Sequence, residues 1–201
     1  MKTSKQPQEF RKETGEKLRK HIEEIVLLTD QEFEYVKMHF TVLTFKKHQF
    51  LIQEGQEVNN DFWVVKGLVK AYSNSSEGKE HIMQFAAEDW WVTDYKAYFN
   101  RERATLNVSC LEDTEVWCLS LENRDKICAG LHKAEHFFRR KSNSGYTALQ
   151  RRILSLLSST AKERYDEFLT QYPNLMQRIP KTLIASYLGV SRETLSRLSS
   201  S

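Results

Sequence analysis

Seven short runs of β-prone residues between Val42 and Leu121 constrain the fold of this 201-residue chain more than any other feature. Strands of about four to eight residues, separated by Gly, Asn, Asp and Ser, are typical of antiparallel sheets. Many such strands at close spacing predict a sandwich or jelly roll. The predicted strands are Val42–Phe45, Phe50–Gln53, Phe62–Val65, Leu68–Tyr72, Ile82–Phe85, Leu106–Cys110 and Val116–Leu119.

Helical spacing of apolar residues flanks this segment on both sides. Before it, Thr29 and Glu32 have the spacing of a capping box, which predicts the start of a short helix. After Leu121 the pattern is helical throughout. It predicts one long helix over Ala134–Thr160 and a further helix over Ala161–Gln171.

Four apolar residues of the long helix recur at intervals of three, four and three positions, which is the spacing of a coiled-coil seam. They are Tyr146, Leu149, Ile153 and Leu156. We therefore predict that this helix pairs with a second copy of the chain in a homodimer. A helix that packs only on its own sheet would use the same apolar residues, and this alternative stays open.

The segment Ile179–Leu198 predicts two short helices joined by a tight turn. Ile184 and Leu188 give the first helix an apolar stripe, and Gly189 can adopt the left-handed conformation that ends it. Ser191 is a good N-cap for the second helix. The second helix leaves four polar residues on its outer face, Arg192, Glu193, Ser196 and Arg197. This spacing predicts a helix-turn-helix, and the alternative is an ordinary helical hairpin with a solvated, charged face.

The charge of the chain is divided along its length. Residues 1–138 contain 19 Lys and Arg against 23 Asp and Glu, whereas residues 139–201 contain 11 against 4. The basic part includes the predicted helix-turn-helix, which agrees with a surface that contacts nucleic-acid phosphates.

The cysteines indicate a reducing compartment. Cys110, Cys118 and Cys128 are an odd, scattered set without a C-x-x-C pair, which favours free thiols over a disulfide framework. The N-terminus has no signal-peptide pattern, and no apolar run approaches the length of a membrane span. We therefore expect a cytoplasmic protein with no membrane role. No metal site is predicted, since three cysteines are too few for a four-thiolate iron–sulfur cluster and the pair His132 and His136 has no further ligand nearby in sequence.

The order of strands, long helix and helix-turn-helix resembles the cyclic-AMP receptor protein/Fnr (Crp/Fnr) superfamily of bacterial transcription regulators, over nearly the whole chain. The most specific match is Ser191-Arg192-Glu193-Thr194 followed by Arg197, which is similar to the recognition helix of that family. Residues 50–56 and 62–70 look like the early strands of its β-roll, and residues 111–116 look like the hairpin that closes the roll.

This resemblance implies an α+β fold in three parts. Residues 1–125 would be a sensor domain, a β-roll (double-stranded jelly roll) of the cyclic-nucleotide-binding type with N-terminal helices. Residues 126–160 would be the connecting and dimerisation helix, and residues 161–201 the helix-turn-helix DNA-binding domain. The implied function is a dimeric transcription regulator that reads a palindromic site in double-stranded DNA, with RNA polymerase as a further candidate partner.

The resemblance also implies the roles of single residues on the second helix. Arg192 and Arg197 correspond to arginines that contact guanines, and Glu193 corresponds to the acid that accepts from a cytosine amino group. Side-chain chemistry agrees, since a guanidinium matches the guanine O6 and N7 atoms and a carboxylate is an acceptor. Ser196 completes the predicted base-reading set. Four further residues are predicted to contact phosphates, namely Lys181, Thr182, Ser191 and Thr194.

The effector pocket implied by the resemblance comprises Thr93, Asp94, Arg103 and Thr105. In cyclic-nucleotide binders, a Gly-Glu pair and an Arg followed by Ser or Thr hold the phosphate. Here Thr93 and Asp94 stand at the first pair, and Ala104 and Thr105 stand at the second. The phosphate arginine is missing unless Arg103 replaces it after a one-residue shift. We therefore expect no cyclic-nucleotide cofactor and predict a small-molecule effector of unknown identity.

The sequence ends four residues after Arg197, so we expect the β-hairpin wing that follows the recognition helix in this family to be missing. The alternative function is a β-roll sensor or interaction protein that no longer binds DNA. The joint presence of Arg192, Glu193 and Arg197 favours DNA reading. An enzyme is not predicted, since the sequence has no cupin-like metal cluster, no Ser-His-Asp or Cys-His arrangement and no Gly-rich phosphate loop.

Overall fold

The computed structural model describes residues 8–199, with side chains from residue 13 onwards. Its strands are β1 (Thr41–Phe45), β2 (Phe50–Ile52), β3 (Asn60–Lys66), β4 (Val69–Asn74), β5 (Glu80–Ala86), β6 (Trp91–Val92), β7 (Asn107–Cys110) and β8 (Thr114–Ser120). Its helices are α1 (Gln8–Glu23), α2 (Asp30–Met38), α3 (Tyr95–Asn100), α4 (Leu121–Gly130), α5 (His132–Ser158), α6 (Ala161–Gln171), α7 (Lys181–Leu188) and α8 (Arg192–Leu198).

The strands form two four-stranded sheets, in the orders β1-β8-β3-β6 and β2-β7-β4-β5. Neighbours such as β1 and β8, or β3 and β8, are antiparallel. The predicted β-roll and its seven strands are confirmed. Strand β6 was missed, because Trp91–Val92 is too short to show an alternating pattern and is defined only by its pairing with β3.

Successive side chains of β3 and β8 point to opposite faces of the first sheet, and both faces carry apolar residues. Val64 and Val116 belong to an apolar cluster built from strand residues of both sheets and from α3. Trp63 and Trp117 lie on the opposite face, in a second cluster with residues of α1, α2 and the start of α5. The N-terminal helices therefore cover a sheet face that would otherwise expose tryptophan to water.

Local capping explains where several helices begin. The predicted capping box is confirmed, since Glu32 N–H donates to Thr29 Oγ1 and the Glu32 carboxylate accepts from Thr29 N–H. Thr160 and Glu163 form a second capping box at the start of α6, so α5 ends at Ser158 and not at Thr160.

Within residues 8–199, the chain forms two compact units. The first comprises residues 8–71 and Phe85–Ser142, and the second comprises Tyr72–Gln84 and residues 143–199. The tip of the β4–β5 hairpin therefore belongs with the C-terminal helices. The division into residues 1–125, 126–160 and 161–201 stays a prediction, and residues 1–7 and 200–201 of it lie outside the described part.

Within residues 8–199, none of the helices combines the length with the apolar character that a membrane span requires.

Candidate nucleic-acid interface

The turn between α7 and α8 depends on one glycine. Gly189 follows the last residue of α7 and has φ 67°, in the left-handed region. A residue with a Cβ adopts this conformation only at a cost in free energy, so glycine is favoured here. The N–H of Val190 donates to the carbonyl of Ala185 at 3.0 Å and closes the turn. The conformation predicted for Gly189 is confirmed.

The second helix begins at the predicted cap. Ser191 Oγ accepts from the N–H of Thr194 at 3.2 Å, which satisfies one free donor of the first turn of α8. The hydroxyls of Ser191 and Thr194 are also within 3.2 Å of each other. Both side chains thus stabilise α8 directly, in addition to the phosphate contacts predicted for them.

A small apolar core keeps the two helices together. Leu195 of α8 and Ile184, Ala185 and Leu188 of α7 are all buried. The apolar stripe expected on α7 therefore points into this core. The charged residues of α8 cannot share that side of the helix.

The outer face of α8 is exposed in this unit. Arg192, Glu193, Ser196 and Arg197 are all exposed, as are Lys181 and Thr182 at the start of α7. The structure therefore brings the four predicted base-reading residues together on one short helix. Their roles in DNA contact stay predictions.

Glu193 is held in its charged form. The pKa of its carboxyl lies below the usual range, because the carboxylate accepts hydrogen bonds from its own backbone N–H and from Ser191 at the helix start. The nearby charges of Arg192 and Arg197 lower this pKa further. At neutral pH, Glu193 can therefore only accept hydrogen bonds.

Arg164 of α6 hydrogen-bonds to the end of α7 just before the turn, and nothing in its sequence spacing indicated this contact. Its Nε donates to the carbonyl of Leu188 at 2.8 Å, and its Nη1 donates to the carbonyl of Ser159. These carbonyls lie at the ends of α7 and α5, where carbonyl groups lack helical partners and where a cation is favourable. One guanidinium therefore joins the ends of two helices.

The predicted seam of α5 is exposed to solvent in the described chain. Tyr146 is 71% exposed, Leu149 50%, Ile153 48% and Leu156 43%. The first part of α5 differs, since Phe137 and Phe138 are buried in the second apolar cluster. The alternative of a helix packed on its own sheet thus describes the start of α5, while the stripe from Tyr146 onwards lies open.

The predicted effector residues come together only in part. Asp94 is buried and caps α3, where its Oδ1 accepts from the N–H of Ala97 at 3.2 Å. Its Oδ2 accepts from the N–H and hydroxyl of Thr105 at 2.7 and 2.9 Å and from the N–H of Leu106 at 3.1 Å. Four donors therefore surround one carboxylate.

The other two effector residues are used elsewhere. The hydroxyl of Thr93 donates to the carbonyl of Asn60 on β3. Arg103 is exposed and donates to the carbonyl of Gly55 at 2.8 Å. Arg103 therefore makes a loop contact and, in this structure, does not join the donors around Asp94.

A buried charge pair next to α3 was not found from the sequence. Asp61 at the start of β3 is 2% exposed, and one of its oxygens, Oδ2, lies 3.6 Å from Nη1 of Arg124 on α4. The other, Oδ1, is buried without a hydrogen-bond partner among the described residues. The Arg124 guanidinium also lies over the rings of Phe99 and Phe138, at 5.1 and 4.4 Å from their centroids.

Burial raises the pKa of Asp61 to about 7, and the charge of Arg124 offsets only part of this effect. Because its pKa is higher in the folded state, Asp61 contributes most stability below pH ~4, and this is lost as the pH rises through 7. We expect wild-type protein to lose about 1–3 kcal/mol between pH 5 and 8 relative to Asp61→Asn. Urea unfolding at both pH values measures this difference.

The matched variant for this prediction is Arg124→Met, which leaves the Asp61 carboxyl without its cation. Its loss of stability between pH 5 and 8 should be at least as large as that of the wild type, because ionised Asp61 is then unpaired. Parallel pH profiles for wild type and Asp61→Asn would contradict this account of Asp61.

The cysteines are free thiols. Burial raises the pKa of Cys110 to about 11 and that of Cys118 to about 12, so both are protonated at neutral pH. In the part of the chain that the structure describes, no three His, Cys, Asp or Glu side chains are grouped so that they could bind a metal ion.

Comparison with known proteins shows a family match over the strands and α4. Residues 42–130 match the cyclic nucleotide-binding domain family. Regulatory protein HlyX of Actinobacillus pleuropneumoniae is 26% identical over 167 residues, which cover 76% of this chain and 68% of that protein. Transcriptional activator protein Anr of Pseudomonas protegens is also 26% identical over 167 residues, with 66% of its length covered. The chain thus spans about two thirds of the length of these relatives.

Solved structures share the fold. FixK2 from Bradyrhizobium japonicum has a TM-score of 0.71 at 20% identity, over 80% of this chain and 83% of that one. The catabolite activator protein of Thermus thermophilus has a TM-score of 0.53 at 18% identity, over 86% and 83% of the two chains.

Proposed function

We propose that this chain is a dimeric DNA-binding regulator. The proposal follows from its relation to the Crp/Fnr superfamily of transcription regulators. In this proposal α7 and α8 form the helix-turn-helix, and α8 is the recognition helix that enters the major groove. The β-roll is the effector domain. The function is regulatory and not enzymatic.

One observation carries the proposal. Arg192, Glu193, Ser196 and Arg197 are exposed side by side on α8, while Leu195 anchors the opposite side of the helix. Arg and ionised Glu offer opposite hydrogen-bonding patterns, which is what reading guanine and cytosine in one half-site requires. A merely solvated helix needs no such arrangement.

Residues around α8 would fix the position of the protein on the DNA backbone. Lys181 and Thr182 are exposed in the first turn of α7, where free N–H groups also favour an anion. With Ser191 and Thr194, they form the proposed set of phosphate contacts. Such contacts give affinity that falls with salt but carry no sequence information.

Dimerisation through α5 would supply the second recognition helix. The exposed stripe Tyr146, Leu149, Ile153 and Leu156 matches a coiled-coil seam, and burying it between two copies removes large apolar side chains from water. Two copies related by a two-fold axis would read two half-sites about one helical turn apart.

We also propose that the effector is not a cyclic nucleotide. Asp94 already occupies the N–H groups of Thr105 and Leu106 with its own carboxylate, so a phosphate placed there would meet a negative charge and few free donors. Ala104 stands where cyclic-nucleotide binders have the phosphate arginine, and its side chain carries no positive charge. Calorimetric titration with cyclic AMP and cyclic GMP should show no binding at about 100 μM nucleotide. This concentration would saturate a site with a micromolar dissociation constant. Micromolar binding of either nucleotide would contradict this proposal.

The test of DNA reading is selection of bound duplexes from random DNA, followed by affinity measurements at several salt concentrations. We expect a palindromic consensus with guanine and cytosine in each half-site, and an affinity that falls steeply with salt. Binding without any sequence preference would contradict base reading. Absence of binding at low salt would favour the alternative, a β-roll interaction protein.

A further inference from the structure

The edge of a β-strand meets the α7–α8 helix pair inside the second unit. Strand β5 is at the edge of its sheet, so alternate residues direct their N–H and C=O groups away from β4. Glu80 and Ile82 are two such residues. Side chains of α5 and α7, and not a further strand, hydrogen-bond to three of these outward groups.

Ser186 of α7 makes two of these bonds. Its hydroxyl donates to the carbonyl of Glu80 and accepts from the N–H of Ile82 at 3.4 Å. A single hydroxyl thus spans two successive outward positions of β5, in the middle of the helix that precedes the turn. Alanine at this position would leave both backbone groups without that partner.

Arg152 of α5 binds the carbonyl of Ile82 and also a carbonyl of α7. Its Nη2 donates to the carbonyl of Ile82 and to the carbonyl of Tyr187, both at 2.9 Å. Its guanidinium lies 3.5 Å from the centroid of the Tyr187 ring. Planar stacking combined with two donated bonds is a geometry that arginine provides and lysine does not.

We infer that Arg152 and Ser186 are positioning residues, which clamp the tip of the β4–β5 hairpin to α7 and thereby orient the recognition helix. The hairpin is covalently continuous at both ends with Ala71 and Phe85, two buried residues of the first unit. A displacement of β4 or β5 is therefore passed to α7 through these hydrogen bonds. The outer face of α8 is exposed in the clamped arrangement, which is therefore compatible with the proposed DNA contact.

This inference rests on the proposed DNA-reading function, and two separate measurements test it. Hydrogen–deuterium exchange of the Ile82 amide in the free protein reports the clamp itself. Affinity for the selected duplex reports its consequence. We expect Ser186→Ala to speed exchange at Ile82 about tenfold, because the amide loses its acceptor. We expect Arg152→Met to lower DNA affinity about tenfold, within the usual range of coupling between sites.

Matched controls separate the clamp from general loss of stability. Ser155→Ala removes a hydroxyl of α5 that donates to Glu167 and not to the hairpin, so Ile82 exchange should stay at the wild-type rate. Arg151→Met removes the neighbouring, exposed arginine and should leave Ile82 exchange unchanged. Arg152→Lys keeps the charge but not the stacked, two-bond geometry, and should fall between wild type and Arg152→Met in both measurements.

The outcomes distinguish the two ideas. Unchanged Ile82 exchange in Ser186→Ala and Arg152→Met overturns the clamp, whether or not the protein binds DNA. Faster exchange with unaltered DNA affinity overturns the positioning role. Wild-type protein that binds no duplex overturns the proposed function, and the exchange measurement then still decides whether the clamp exists.

Discussion

The double variant Arg192→Ala/Arg197→Ala is expected to lose specific DNA binding, with at least about a hundredfold weaker affinity for the selected duplex. Each bidentate arginine–guanine contact contributes about 1–3 kcal/mol of discrimination, and a dimer makes each contact twice. Both side chains are exposed, so their removal costs α8 little of its packing. Fluorescence anisotropy with the labelled duplex measures the loss, and thermal unfolding checks that the fold is intact.

Two controls identify the lost contacts as base contacts. Arg151→Ala removes an exposed arginine of α5 from the same unit and should change affinity less than the double variant. Glu193→Gln keeps an acceptor oxygen but adds an amide donor, so it should relax the preference for cytosine at one position of each half-site. Equal binding of the double variant and wild type would remove the basis for α8 as the reading helix.

The second large effect is expected at the dimer seam. In Leu149→Lys/Ile153→Lys, like charges would face each other across the two-fold axis in place of apolar contacts. We expect a monomer in light-scattering measurements. We also expect a DNA affinity about a hundredfold or more below that of wild type, because the two recognition helices no longer belong to one dimer and bind their half-sites independently. The effect should persist at moderate salt, since the lost contacts are apolar.

Leu154→Lys is the matched control for the seam. Leu154 is 56% exposed on the same helix, but it lies outside the three–four–three spacing. This variant should remain a dimer with nearly unchanged DNA affinity. A Leu149→Lys/Ile153→Lys protein that stays dimeric would place the interface elsewhere on the chain.

Much of the fold was predictable because the relevant interactions are local. The continuous apolar runs Phe62–Val65 and Val116–Leu119 reflect strands with both faces buried. The capping box at Thr29, the turn at Gly189 and the cap at Ser191 each involve residues within a few positions of one another. Such local interactions depend little on the rest of the fold, which is why they can be predicted from the sequence.

The break between α4 and α5 shows where local patterns fail. Helical spacing continues past Leu121, yet Leu131 has an extended backbone, with φ −144° and ψ 102°, and separates two helices. No proline marks this position, and Gly130 is still helical. The buried side chains of Ile127 and Ala134 on either side are set by packing, which the sequence pattern does not express.

The sequence by itself determined which residues lie on the exposed face of α8, the face proposed to read DNA, because that face follows from helical period, cap and turn alone. Tertiary structure decided the contacts between residues that are far apart in the sequence. Ser186 meets Glu80 across 106 positions of sequence, and Arg152 meets Ile82 across 70. The pKa of Asp61 likewise depends on its burial beside Arg124. Contacts at such separation depend on how whole elements pack, and no spacing rule encodes them.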